Sequence, residues 1–341
     1  MGDIFYRHFD PLFSDAQADG MLRLCERFGH YGMYSEEATS EPFGEGLQQR
    51  HDAVLNFLKT GGRMGRQEDV ATLAARTNYF RETYAYAEPL IEGIKDFLHF
   101  DGFIEAAQQV HQRPLVRPAI AYANLLVPGQ ELAVHTDVPE FRGASRMNQP
   151  QWLLVAAHHS RLFERWRMPI ATGVAWFGNP KGGEFVFYPE GALGQPIALP
   201  AKHNSAIVLD TDSAFHGVDR VSEAGASLAE LARDMQLEFV GNGSWRLHRG
   251  DREIARYQWD DLRFSVSWKA HCYADEAEEA TVRDHSDDLD RKIILDRLVE
   301  DLRQRGRLKD DLPEDTELAL MIIDEYIQYP LPATDPAGAD A

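Results

Sequence analysis

The sequence predicts a mainly β protein with flanking helices (α+β), its core a double-stranded β-helix, or jelly roll. Three observations carry this. From Ala119 to about Ala270 the apolar residues recur with a period close to two, the spacing of half-buried strands. Before and after that interval the period lengthens to that of amphipathic helices. The stretch AIAYANLLVPGQELAVHTD (119–137) reads as strand, Pro128-Gly129 turn, and second strand, so His135 and Asp137 leave a strand rather than a helix. Many short strands buttressed by helices favour two packed sheets closed on each other. A plain β-sandwich would account for the strands, but not for the polar faces described below.

The N-terminal 1–118 segment reads as mostly helical. Ser14 and Gln17 form a capping box ahead of AQADGMLRLCERFG, in which Met21, Leu22, Leu24, Cys25 and Phe28 make an apolar stripe ended by Gly29. Glycine-rich polar intervals follow at 40–46 and 60–65, and two further helical runs are expected over about 66–87 and 88–110. Strands are expected at 119–127, 131–137, 170–177, 183–188, 205–210, 235–240, 244–248, 253–258 and 262–269. A helical stripe of Trp152, Val155, His159, Leu162 and Trp166 interrupts them within 138–169. Gly178 to Gly183 reads as a hairpin turn, and Gly250-Asp251 as another. After 270 the chain turns acidic and helical. Ser286 is the expected helix cap, Leu289, Ile293, Leu298, Val299 and Leu302 the buried stripe, and 316–329 a last helix. A disordered tail is expected at 331–341.

Composition excludes several classes. The 341 residues are 44% hydrophobic and 11% aromatic, which suits a packed core. Lys plus Arg number 35 against 55 acids, a net charge of −20, which disfavours nucleic acid as a partner. Cys25 and Cys272 alone supply no disulfide framework, there is no apolar leader, and no window approaches a membrane span. A soluble cytoplasmic protein is expected.

Side chains two apart on a strand share a face, so His135 and Asp137 aim an imidazole and a carboxylate at one point. That is two thirds of the 2-His-1-carboxylate set that binds non-haem iron facially. His-x-Asp occurs four times, starting at His8, His99, His135 and His285, and only the third copy sits on a predicted strand with strands after it to return another His. His216 in LDTDSAFHGVDRV is the expected third ligand, with His203 its rival. In LRFSVSW (262–268), Arg263, Ser265 and Ser267 alternate with Leu262, Phe264, Val266 and Trp268. A guanidinium on the inner face needs an anionic partner, either a structural acid or a ligand carboxylate.

Together His135-Thr136-Asp137, His216 and Arg263-Phe264-Ser265 resemble the Fe(II)/2-oxoglutarate-dependent oxygenases over roughly 115–270. The resemblance implies that His135, Asp137 and His216 bind Fe(II), and that Arg263 with Ser265 holds the distal carboxylate of 2-oxoglutarate, O2 being the third reactant. It implies oxidation of a second substrate, most simply hydroxylation, with release of succinate and CO2. The carboxylate of Asp137 argues against the related halogenases. One departure is the 47-residue separation of His216 and Arg263, which makes 222–258 an insertion, a helix (SLAELARDM) and a β-hairpin; Arg220 and Lys269 are the alternative anchors. The organisation is then 1–118, a 119–270 core with insertions at 138–169 and 222–258, a 271–330 helical segment, and the tail. Tyr122 and Asn124 are expected to face inward, bonding the co-substrate or each other, and Trp176 to fill the barrel wall. Arg142 and Arg146 are candidates for an acidic substrate. His158 and His159 read as helix-packing residues. Two rival readings are a cupin-like protein, non-catalytic or with another metal, and an iron oxidase using no 2-oxoglutarate.

Overall fold

Alternation along one strand organises the molecule. The computed structural model describes residues 4–34, 56, 59–61, 79–222, 234–309 and 311–332. In chain order its strands are β1 (Tyr6–Phe9), β2 (His30–Met33), β3 (Phe80–Tyr86), β4 (Glu88–Pro89), β5 (Leu115–Leu126), β6 (Leu132–His135), β7 (Glu140–Phe141), β8 (Arg167–Met168) and β9 (Ile170–Phe177). They continue with β10 (Phe185–Phe187), β11 (Ile197–Leu199), β12 (Ser205–Leu209), β13 (His216–Val218), β14 (Gln236–Gly241), β15 (Ser244–Arg249), β16 (Arg252–Gln258) and β17 (Arg263–Tyr273). The helices are α1 (Asp15–Phe28), α2 (Lys95–Leu98), α3 (Asp101–His111), α4 (Gln151–Ser160), α5 (Glu276–Arg283), α6 (Arg291–Gln304) and α7 (Asp315–Tyr326).

Two antiparallel sheets form the core. The large one runs β1-β12-β9-β17-β5-β3-β2-β14-β15-β16, with β4 on β3, and the small one runs β11-β10-β13-β6. From β5 onward the chain passes large, small (β6), large (β9), small (β10, β11), large (β12), small (β13), large (β17). This is the double-stranded β-helix expected from the sequence. Val174, Trp176, Ile207 and Leu209 of the large sheet meet Phe185 and Phe187 of the small one in a shared interior.

The outer faces are covered by helices. Phe264, Val266, Trp268 and Ala270 of β17 are buried with Leu24 of α1, Phe97 of α2 and Phe103 of α3. Behind the small sheet, Val186 and Phe215 pack with Leu154 of α4, Leu298 of α6 and Ile322 of α7. The stripe read from the sequence around Leu298 and Leu302 is this contact. Helix α1 has the predicted Ser14–Gln17 capping box, and Gly29 ends it at φ 81°.

Several expectations need correction. The run expected as helix up to residue 87 contains strand β3, and among the described residues of 79–110 the helices are α2 and α3; residues 66–78 lie outside the described set. The reason is a bulge between Thr83 and Ala85, which buries Tyr84 and Ala85 together and imitates a helical spacing with Phe80. Gly178 to Gly183 is not a hairpin, because β9 and β10 belong to different sheets. Helix α6 is capped by Asp290, whose carboxylate accepts from Ile293 N, and not by Ser286. The expected helix in the 222–258 insertion, SLAELARDM, spans 227–235, and its 227–233 part lies outside the described residues. Its hairpin is a three-stranded meander, β14–β15–β16, which extends the large sheet from β2. The 40–46 interval and the 333–341 part of the tail also lie outside the described set. Among the described residues no helix is long and apolar enough to cross a membrane.

Candidate active site

His135 ends β6 and His216 opens β13, and the two residues are direct partners in the small sheet. Cross-strand partners point to the same face, so the two imidazoles converge by register alone; their centroids are 4.4 Å apart. Asp137 follows β6, and its backbone N–H donates to the Thr211 carbonyl at 2.8 Å, which fixes the turn. The Asp137 Oδ1 atom lies 3.8 Å from His135 Nε2 and 3.7 Å from His216 Nε2. One donor atom from each residue lies within 4.8 Å of the other two.

The surroundings select those atoms. Nδ1 of His135 donates to the Ala133 carbonyl (2.6 Å) and Nδ1 of His216 to the Ala214 carbonyl (2.9 Å). With the proton on Nδ1, the lone pair of each neutral ring is at Nε2, on the side of Asp137. On the carboxylate, Oδ2 accepts from Thr211 Oγ1 at 2.6 Å and from Lys269 Nζ at 2.7 Å. Thr211 is itself 2.6 Å from Thr172 Oγ1. Oδ2 is thereby held by the protein and Oδ1 is turned to the histidines. Burial alone would lower the Lys269 pKa; Asp137, followed by Tyr122 and Asp212, holds it above the ordinary value. Two Nε2 atoms and one carboxylate oxygen, each oriented by a second contact, fit a divalent ion bound on one face.

The remaining His-x-Asp histidines, His8, His99 and His285, are exposed. The rival His203 is used otherwise, its Nδ1 accepting from Gly178 N at 3.1 Å.

Arg263 opens β17 and is 2% exposed. Its Nε donates to the Gly183 carbonyl at 2.7 Å and its Nη1 to Ser265 Oγ at 3.3 Å, while Nη2 is buried with no partner. Burial pulls its pKa down to about 9, opposed only by Glu184. A buried donor without an acceptor costs about 1–3 kcal/mol, more when charged, so this end of Arg263 is built for something the chain does not supply. Gly183 (φ 72°) makes room for it, since a Cβ there would stand 2.8 Å from Arg263 Cδ. Trp176 Nε1, at the register level of Ser265, is also buried and unpartnered. The other two candidate anchors are engaged: Arg220 bonds both oxygens of Glu131 at 3.3 Å, and Lys269 bonds Asp137.

Asn124 and Tyr122 do not bond each other. Asn124 Nδ2 donates to Ser267 Oγ at 3.1 Å, leaving Oδ1 buried and unpartnered, and the Tyr122 ring lies against the Arg81 guanidinium at 3.7 Å. Trp176 is fully buried in the barrel, as expected. Arg142 is spent on Asp287 and the Arg165 carbonyl, and Arg146 Nη2 donates to Tyr34 Oη at 3.0 Å. His158 contacts Ser213 Oγ at 3.0 Å, and His159 stacks on Phe215. The sequence reading missed the clamp of Thr211 and Lys269 on Asp137. Lys269 lies on the inner-face alternation of Arg263, Ser265 and Ser267, and that periodicity was the available signal.

No family model and no curated protein matches this chain. Among solved structures, it is similar to a Pseudomonas putida prolyl-4-hydroxylase at 10% identity and a TM-score of 0.39, covering 80% of this chain and 94% of that one. A Trichoplax adhaerens prolyl hydroxylase in complex with a hypoxia inducible factor peptide fragment is similar at 10% identity and a TM-score of 0.40, covering 81% and 86%. HygX from Streptomyces hygroscopicus, with nickel, 2-oxoglutarate and hygromycin B bound, is similar at 9% identity and a TM-score of 0.39, covering 78% and 82%.

Proposed function

We propose that this protein is an Fe(II)- and 2-oxoglutarate-dependent oxygenase that hydroxylates an unactivated C–H bond of a small molecule, with release of succinate and CO2. The observation that carries this reading is the pairing of a facial donor set with a buried, incompletely bonded Arg263 on the opposite sheet. His135, Asp137 and His216 would hold the metal, and Arg263 with Ser265 the distal carboxylate of the 2-oxo acid. A ferrous ion in such a set supplies O2 activation coupled to oxidative decarboxylation of a 2-oxo acid.

The chain's own residues account for binding and order. The backbone-anchored imidazoles keep Nε2 available, and the Lys269–Thr211 clamp holds Oδ2 of Asp137, so that Oδ1 would be the oxygen offered to a metal. A carboxylate at Arg263 would meet Nη2 in a charge-assisted bond, with Ser265 beside it. Phe185, Phe187 and Trp176 make the interior around them apolar and exclude water.

The test is succinate formation by purified protein given Fe(II), ascorbate, O2 and 2-oxoglutarate, with Asp137→Ala as control. Succinate from the first and none from the second is the expected result. A metal-loaded protein that makes no succinate and does not bind 2-oxoglutarate would refute the proposal and hand Arg263 to another carboxylate.

A further inference from the structure

Arg81 on β3 pairs with Asn124 of β5, which pairs in turn with Ser265 of β17. Arg81 therefore stands on the same inner face of the large sheet as Arg263 and Ser265. Its guanidinium carbon is 3.7 Å from the centroid of the Tyr122 ring and 4.4 Å from that of Tyr34. Tyr79, stacked on Tyr34 at 5.4 Å, shares a side-chain hydrogen bond with it. Burial opposes its charge, yet its pKa is held above the ordinary value by the three tyrosines around it, Tyr79 first, which also bonds it. Tyr122 pairs with Ser267 of β17, and Lys269, two residues further on that face, bonds Asp137, so Arg81 is linked through Tyr122 to the strand that clamps the proposed metal ligand.

Two rings against the guanidinium carbon cover its plane, Tyr79 takes one hydrogen bond, and the rest of the N–H edge is the binding element. That edge matches a coplanar carboxylate through two parallel hydrogen bonds. Resting on the oxygenase reading above, we propose that Arg81, framed by Tyr34, Tyr79 and Tyr122, binds a carboxylate of the oxidised substrate, which is therefore a small carboxylic acid. Arg263 and Arg81 are then two anion sites on one face, for two different molecules.

The experiment is calorimetric titration of the Zn(II)-loaded protein with phenylacetate, phenylacetamide and phenyl phosphate, with and without saturating 2-oxoglutarate. Wild type is expected to bind phenylacetate alongside 2-oxoglutarate and at least roughly thirty-fold more tightly than the uncharged amide. Arg81→Met is expected to lose that preference with its 2-oxoglutarate affinity unchanged. If Arg81→Met does not fold, Arg81→Lys, which keeps the charge but not the paired edge, is expected to lose most of it.

Four outcomes overturn the assignment: equal binding of acid and amide by wild type, tighter binding of phenyl phosphate, competition between phenylacetate and 2-oxoglutarate, or a loss of 2-oxoglutarate affinity in Arg81→Met. A wild-type protein that selects phenylacetate through Arg81 but never binds 2-oxoglutarate sinks the oxygenase reading and leaves this one standing.

Discussion

The two faces of β17 come from one strand and end in opposite conditions. Outward, Phe264, Val266, Trp268 and Ala270 are buried among helices, and the Trp268 indole donates to the Leu98 carbonyl at 2.8 Å. Inward, Arg263 keeps a buried Nη2 with no acceptor, while Ser265, Ser267 and Lys269 surround the space facing the His135–Asp137–His216 set. The outward side is finished within the chain and holds the fold. The inward side is unfinished, and its missing partners define what a ligand must bring.

The largest effect should come from breaking the inward side at the metal. Asp137→Ala or His216→Ala is expected to abolish Fe(II) binding and succinate formation while thermal unfolding stays cooperative. Full Fe(II) affinity in His216→Ala would show that the His135–Asp137–His216 set on the small sheet is not the metal site. The outward side should answer in stability instead. Trp268→Ala is expected to cost about 3–5 kcal/mol in urea unfolding, from lost burial and the cavity left behind.

Arg263 separates the two faces most cleanly. Arg263→Ala is expected to raise the 2-oxoglutarate requirement by roughly thirty-fold or more, the lower end of about 2–5 kcal/mol for a buried charge-assisted pair. Its iron affinity should not change. Titrating Arg220→Ala and Lys269→Ala beside it is decisive, since a large loss in either with none in Arg263→Ala would reassign the anchor. Ser265→Ala removes one hydrogen bond and should cost about 0.5–1.5 kcal/mol in the same titration.

Asp212 sharpens the comparison, because there an unpartnered buried group is met by a proton. Both its oxygens are buried without partners, and burial followed by the charge of Asp210 raises its carboxyl to about 8. The folded chain thus retains a proton that the unfolded chain releases near its usual pKa of about 3.9, so this group's contribution to stability falls as pH rises from about 4 to about 8. Urea midpoints of metal-free protein across that range should decline less steeply in Asp212→Asn. An equal slope in the variant would assign the proton elsewhere.

What the sequence made legible follows from where side chains alternate without interruption. The faces of β17, the strand β9 at 170–177, and the return of a His after His135 could all be read, because each long strand has one face toward helices and one toward the barrel. The short and irregular strands could not. β13 has three residues and β1 has four, too few for an alternating period to show. β3 carries a bulge that breaks its period, and Arg81 was hidden with it. The alternation placed Lys269 on the inner face, but not its partner, since Lys269 and Asp137 are 132 positions apart in sequence. Only the pairing of β17 between β5 and β9 fixes where its ammonium goes.

The flanks of the barrel have a consequence for dissection. Among the strands that close it, β12 is covered along its length by β1 and β5 by β3, both drawn from the first hundred residues. A fragment cut to 119–270 would keep the proposed metal and 2-oxoglutarate ligands but lose Arg81, and would bare backbone N–H and C=O groups on β12, β5 and β14. Bare edges of that kind recruit other strands, so the fragment is expected to self-associate, which light scattering would reveal. Of those N-terminal strands, β1 acts as the selvedge of the sheet, and β3 is the seam that carries it on through β2 to the meander.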